Sequence, residues 1–153
     1  MSAEKPAKRV VTLEELVGRA SELRDQLNSL NTVLNMYLTQ YRETQLSIET
    51  LRGLPEVSTE SFVVLDRLSS VFIPVKIEGN WVNSVLVNLG LGYYMRTSRE
   101  KAVEILSRRA RELERVLSNL QAQQKALLEE YLTLERLISQ VIETYRAKAT
   151  KST

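Results

Sequence analysis

Two long stretches of the chain, 12–52 and 98–146, carry apolar residues at alternating spacings of three and four. The first reads Leu13, Leu16, Ala20, Leu23, Leu27, Leu30, Leu34, Tyr37, Tyr41, Thr44, Ile48 and Leu51. The second reads Val103, Leu106, Ala110, Leu113, Leu117, Leu120, Gln124, Leu127, Tyr131, Leu134, Ile138, Val141 and Tyr145. A period of 3.5 held this long predicts two coiled-coil helices. Helices of a globular bundle would carry a broader apolar face. Thr12 and Glu15 have the spacing of a capping box at the first helix start, and Gly53 followed by Pro55 stops it. Thr97 and Glu100 repeat that spacing before the second helix.

The two stripes match each other in an antiparallel hairpin. Leu51 then meets Val103, Ile48 meets Leu106, and small Thr44 meets small Ala110. Further along, Tyr41 meets Leu113, Leu34 meets Leu120, Leu30 meets Gln124, Leu23 meets Tyr131 and Leu13 meets Val141. A slip of one heptad also keeps the seam apolar, so this register is a preference. At about 1.5 Å per residue, a first helix of roughly 40 residues spans about 60 Å, and the expected pair is a thin rod. The polar ends, 1–9 and 147–153, are expected to be flexible tails.

Between the helices the pattern changes to alternation. Val71, Ile73, Val75 and Ile77 share one face, opposite Phe72, Pro74 and Lys76. Val85, Val87 and Leu89 do the same opposite Leu86 and Asn88, while 61–66 and 93–97 supply two further strands. The segment 66–70 joins one pair of strands, and Gly90-Leu91-Gly92 joins the other with glycines suited to positive φ. Two β-hairpins are thus predicted over 61–97. Pro74 has no amide to donate, so its strand is an edge or is bulged there. Two hairpins do not bury a face unaided in water, and the heptad helices are already committed to each other. Phe62, Val64, Phe72, Ile73, Val75, Ile77, Trp81, Val85, Val87 and Leu89 are therefore expected to lack a packing layer within the chain. They are the candidate oligomerisation residues, meeting hairpins of other chains in a closed or extended sheet.

The composition removes most chemistry. Among 153 residues there is no cysteine and no histidine, so thiol chemistry and the commonest general base and metal ligand are missing. No catalytic, cofactor-binding or metal-ligating residue is assigned, and the chain is read as a non-enzyme without cofactors. Glu14, Glu15, Glu104, Glu129 and Glu130 lie among Arg and Lys on helices, as solvated pairs do. Gly90-Leu91-Gly92 lacks the further glycines and Lys-Ser/Thr of a phosphate loop. The net charge is only +2. Arg108, Arg109, Arg111 and Arg115 cluster with Glu104, Glu112 and Glu114 among them, a solvated face rather than a nucleic-acid groove. Trp81, Tyr93 and Tyr94 read as core or interface packing rather than base-stacking platforms. No apolar run is long enough for a membrane span and the start has no signal-peptide pattern, so a cytoplasmic protein is expected.

The apolar stripe widens where the two chain ends meet. Val10, Val11, Leu13, Leu16 and Val17 lie at the start, with Leu137, Ile138, Val141, Ile142 and Tyr145 level with them near the other end. Leu128 and Leu132 also fall outside the seam, whereas flanking positions farther in, such as Arg24, Gln26, Asn31, Gln40, Gln45 and Gln121, are polar. Two readings stand: wider local helix packing, or a deformable apolar surface for other proteins.

The hairpin insert, Val71-Phe72-Ile73-Pro74-Val75-Lys76-Ile77 followed by Val85-Leu86-Val87-Asn88-Leu89-Gly90-Leu91-Gly92-Tyr93-Tyr94, resembles that of the archaeal-like α-type subunits of the prefoldin family. The helix start with Glu100, Ala102 and Val103 is similar too, and the likeness covers 12–146. Met95-Arg96 stands where that family often has an acidic residue. The resemblance implies a single prefoldin-like domain, mainly α with a small β insert. Its long antiparallel two-helix coiled coil would carry two hairpins that join an intersubunit β-barrel platform. It implies a hexamer of two α-type and four β-type subunits that holds unfolded proteins at the coiled-coil tips without ATP and delivers them to a group II chaperonin. The ten residues at the chain ends are then the client-binding tips. The alternative reading is a structural coiled-coil scaffold or filament-forming relative without client binding.

Overall fold

The structure is a computed structural model and describes residues 11–150. In chain order it contains α1 (Leu13–Gly53), β1 (Thr59–Val64), β2 (Phe72–Ile77), a 3₁₀ turn (Gly79–Asn83), β3 (Val85–Gly90), β4 (Tyr93–Thr97) and α2 (Arg99–Thr150). Contacts divide the chain into two units, Met1–Tyr37 with Val116–Thr153, and Leu38–Arg115.

The capping box of α1 forms: the Thr12 amide donates to the Glu15 carboxylate at 3.0 Å, and the Glu15 amide donates to the Thr12 hydroxyl at 3.2 Å. The second box does not form. Thr97 is still paired with Val85 in the sheet, so Ser98 caps α2 by accepting from the Lys101 amide at 3.3 Å. Helix α2 also runs through 147–150, where a tail was expected. Ala147, Lys148 and Ala149 are good helix formers, and no Gly or Pro stops them. The expected tail at 1–9 lies outside the described residues.

In the first unit Ala20, Leu23, Leu34 and Leu117 are buried, and the other heptad positions from Leu13 to Tyr37 and from Leu120 to Val141 are half-buried. The polar cross-links follow the expected register. The Gln124 amide donates to the Asn31 side-chain carbonyl, beside the Leu30 expected opposite it. The Arg24 guanidinium donates to the Tyr131 hydroxyl at 2.8 Å, and Arg19 donates to Glu130 at 2.9 Å. A one-heptad slip moves one helix by roughly 10 Å and separates all three pairs.

In the second unit Thr44, Ile48, Ala102, Ala110 and Leu113 are buried. The Thr44 hydroxyl donates to the Gln40 carbonyl at 2.8 Å, so its burial leaves no orphan polar group. The Tyr41 hydroxyl donates to Glu114 at 2.6 Å and accepts from Gln45 at 2.9 Å. The Glu114 bond raises the Tyr41 pKa above that of a free phenol.

The hairpins β1–β2 and β3–β4 are separate two-stranded antiparallel sheets. Opposed pairs share a face, so Val85, Val87, Met95 and Thr97 line one side of β3–β4. That side corrects an expectation. Val87 is only 5% exposed, and Val85, Met95 and Thr97 are half-buried. Val85 and Val87 line a groove with Leu46, Thr50 and Leu51 of α1 and Leu106 of α2. The Arg109 guanidinium donates to the Asn88 carbonyl at 2.7 Å from the same helix. The chain thus supplies a packing layer for Val85 and Val87. Leu46 lies outside the heptad seam and lines this groove.

Trp81 also has partners within the chain. Its indole N–H donates to the Pro55 carbonyl at 2.8 Å, and the Arg99 guanidinium lies 6.0 Å from the ring. Arg99 pairs with Glu56 at 2.6 Å and Glu100 at 3.0 Å. Gly79 permits the close approach: a Cβ there would sit 2.8 Å from the Glu56 carbonyl oxygen.

We predict that Val87→Asp destabilises the isolated chain by at least about 3 kcal/mol, because it buries a carboxylate. Leu86→Asp, on the opposite exposed side, changes stability by no more than about 0.5 kcal/mol. Urea denaturation of both variants checks this; equal midpoints would contradict the docking of β3.

Candidate functional site

Among the described residues, each unit has an apolar surface without a covering layer. The first is β1–β2. The register pairs Phe62 with Pro74, Val64 with Phe72, Val63 with Ile73 and Ser61 with Val75. Phe62, Val64, Phe72 and Pro74 therefore share one face, and Val63, Ile73, Val75 and Ile77 share the other. Phe62 is 67% exposed; Val63, Val64, Phe72 and Ile73 are exposed as well, and Val75 and Ile77 are half-buried. An antiparallel sheet that ends in water keeps one polar face. This one has two apolar faces, and both its strands are edges.

The joint between β1 and β2 is prepared in advance. The Asp66 carboxylate accepts from the amides of Leu68 at 2.7 Å, Ser70 at 3.1 Å and Val71 at 3.0 Å. The Ser70 bond first, then those of Leu68 and Val71, hold the Asp66 pKa below the ordinary aspartate value. Ser69 takes φ 56° inside this loop. The hairpin is thus ordered locally while Phe62, Val63, Val64, Phe72 and Ile73 stay exposed.

The second hairpin divides its residues differently. Val85 and Val87 face the helices, whereas Leu86, Leu89, Tyr93 and Tyr94 are exposed. Of the ten residues expected to need an outside layer, Val87 is thus buried within its own unit and Trp81 and Val85 are half-buried there. Phe62, Val64, Phe72, Ile73 and Leu89 are exposed. Val63, Leu65, Leu68, Val71, Leu86, Tyr93 and Tyr94 are exposed apolar residues outside that set of ten. Arg99 was also missed, although a basic residue in the first turn of a helix opposes the macrodipole and signals a special partner.

The second surface lies in the other unit, beside the chain ends. Val11, Val17, Leu137, Ile142 and Tyr145 are exposed, as are Leu128 and Leu132. Leu13, Leu16, Ile138 and Val141 are half-buried in the seam. Val11, Val141, Thr144 and Tyr145 line a shallow groove of about 480 Å³ with Gln140 and Lys148. Val10 lies outside the described residues. Val33 and Met36 are exposed farther along the same unit.

Among the described residues no group of three or more His, Cys, Asp or Glu is placed to hold a metal ion. No described helix is long and apolar enough to cross a membrane.

A family model described as "Prefoldin subunit" matches residues 23–144. The chain is 28% identical over 148 residues to the prefoldin subunit alpha of Sulfurisphaera tokodaii, covering 97% of this chain and 96% of that one. It is 26% identical over 143 residues to the prefoldin subunit alpha of Hyperthermus butylicus, covering 94% and 92%. The same named subunit of Metallosphaera sedula is 25% identical over 137 residues, covering 90% and 94%.

The Asp66 loop carries a pH signature. Because its pKa is depressed on folding, its contribution is full above about pH 4, the free aspartate value, and is lost as pH falls through the depressed value. Amide protection factors at Leu68, Ser70 and Val71 are expected to fall together through that acid range, and to be lost at neutral pH in Asp66→Ala. Hydrogen exchange followed by NMR measures both. Protection unchanged by acid and by the substitution would remove Asp66 as the organiser of the loop.

Proposed function

Because this chain belongs to the prefoldin family, a family of chaperone subunits rather than of enzymes, we propose that it is an α-type subunit that assembles through its hairpins and holds unfolded proteins at the free end of its helix pair. The observation that carries the assembly reading is the β1–β2 hairpin with two apolar faces and two open edges. A two-stranded sheet of this kind is marginal in water, and hairpins of neighbouring subunits supply the missing layer. The proposed partners are β-type subunits and a second α-type subunit, in a hexamer of two α-type and four β-type chains with a β-barrel platform.

Client binding is assigned to Val10, Val11, Leu13, Leu16, Val17, Leu137, Ile138, Val141, Ile142 and Tyr145. Support comes from the exposure of Val11, Val17, Leu137, Ile142 and Tyr145 in one unit beside a seam that is only half-buried there. An apolar surface of this kind suits non-native chains, whose own apolar side chains are exposed in no fixed order. Each contact is weak. Several helix pairs acting on one client raise the effective concentration and so the overall affinity without ATP. Release to a group II chaperonin follows from that weakness, since each contact dissociates singly. This work takes place in the cytoplasm, and no cofactor takes part.

Removal of residues 1–26 together with those from Leu128 onward is expected to abolish suppression of client aggregation while the assembly with β-type subunits persists. Substitution of both Phe62 and Phe72 by Asp has the opposite outcome, leaving the isolated chain folded and preventing assembly. Light scattering of an aggregating client and mass measurement of the mixtures read the two effects. Full protection by the truncated chain would overturn the assignment of the client surface and favour a passive scaffold.

A further inference from the structure

The arginine cluster of α2 does not form the ion pairs that its sequence suggests. Two of the three carboxylates interleaved with it are engaged elsewhere. Glu104 pairs with Lys101 at 2.9 Å, and Glu114 accepts from the Tyr41 hydroxyl at 2.6 Å. Lys101 first, and Arg108 more weakly, hold the Glu104 pKa below the ordinary glutamate value. Arg109 donates to the Asn88 carbonyl at 2.7 Å. Glu112 is left to face Arg108, Arg111 and Arg115. Among the described residues none of these three arginines has a hydrogen bond or a close ion pair.

All three are exposed and lie within one unit. At about 100° per residue they fall within about 60° of one another, on the side of α2 opposite Leu106, Ala110 and Leu113. Arg111 follows Arg108 by three residues and precedes Arg115 by four. Like charges at these spacings are neighbours on the helix surface and destabilise it. The stripe thus carries a repulsion that anionic groups laid along it would relieve.

We propose that Arg108, Arg111 and Arg115 form a docking stripe for an acidic segment of another protein, one that presents carboxylates along a single face. None of these residues belongs to the hairpins or to the proposed client surface, so the inference goes beyond the function proposed above. Arginine suits the role, because its planar guanidinium grips a carboxylate through two N–H donors. From Arg108 to Arg115 the helix rises about 10 Å. Glutamates at helical spacings of three and four cover the same length. A continuous phosphate backbone fits less well. It would pass Glu104 and Glu112, which border the stripe, and would find no aromatic between the arginines on which a base could stack.

The test uses two helical peptides of one composition. In the first, glutamates recur on one face at the spacings of the three arginines; in the second they are spread around the helix. Fluorescence anisotropy with the full chain at about 50 mM salt, where surface charges are little screened, reads binding. The first peptide is expected to bind at least about tenfold more tightly than the second. The triple variant Arg108→Gln, Arg111→Gln, Arg115→Gln is expected to lose that preference. Its melting temperature is expected to stay the same or rise, because the like-charge contacts are gone. A control that loses the same charge elsewhere, Arg42→Gln, Arg67→Gln, Arg136→Gln, is expected to bind like wild type. Equal binding of the two peptides, an equal loss in the control, or a lower melting temperature in the first triple variant would overturn the proposal. So would tighter binding of the chain to polyuridylate or to phosphatidylserine vesicles than to the matched peptide, which would give the stripe to a nucleic acid or a membrane surface.

Discussion

Each helix has a narrow apolar stripe, two positions in every seven, and the two stripes are used on each other. Leu23, Leu34, Ile48, Leu113 and Leu117 are buried, and most of the remaining seam is half-buried. Such a seam leaves the apolar residues of the hairpins to find other partners. That constraint governs the hairpins. In the second unit the patch around Leu46, Thr50 and Leu51, beside Leu106, lies against β3 at Val85 and Val87. On β1–β2, Phe62, Val64, Phe72 and Ile73 stay exposed.

The two hairpins thus stand in different energetic positions. β3–β4 has one face on its own helices and one in solvent, the ordinary state of an antiparallel sheet. β1–β2 has apolar residues on both faces. The Trp81, Pro55, Glu56 and Arg99 contacts tie the segment after α1, the connector and the start of α2 together. The Asp66 carboxylate orders the β1–β2 loop. A local framework that is prepared while its apolar faces remain bare reduces the ordering entropy that assembly must overcome. The family relationship gives this incompleteness a role: a chaperone subunit is one part of a larger particle.

Much of this was legible in the residues. The heptads located both helices to within a residue at three of four ends, and alternation with Gly90 and Gly92 located the hairpins. The exception is the end of α2, where no stop signal precedes Thr150 and polar character alone suggested a tail. The register was only a preference until Asn31, a residue outside the seam, met Gln124. The docking of Val85 and Val87 was not legible, because heptad reasoning treats each helix as a single stripe. Leu46 off that stripe was the available signal. Arg99 was similarly silent, since its partners Glu56 and Trp81 come from segments distant in sequence. Of the surface proposed to bind clients, clustering of apolar residues near both chain ends was readable, while their degree of exposure required the packed helices.

Hydrogen exchange at the β1–β2 amides tests the central claim most directly, comparing the dilute chain with the chain mixed with other prefoldin subunits. The account predicts rapid exchange for Phe62, Val64 and Ile73 in the isolated chain and strong protection on assembly. Protection already complete in the dilute monomer, or exchange unchanged by assembly, would contradict it.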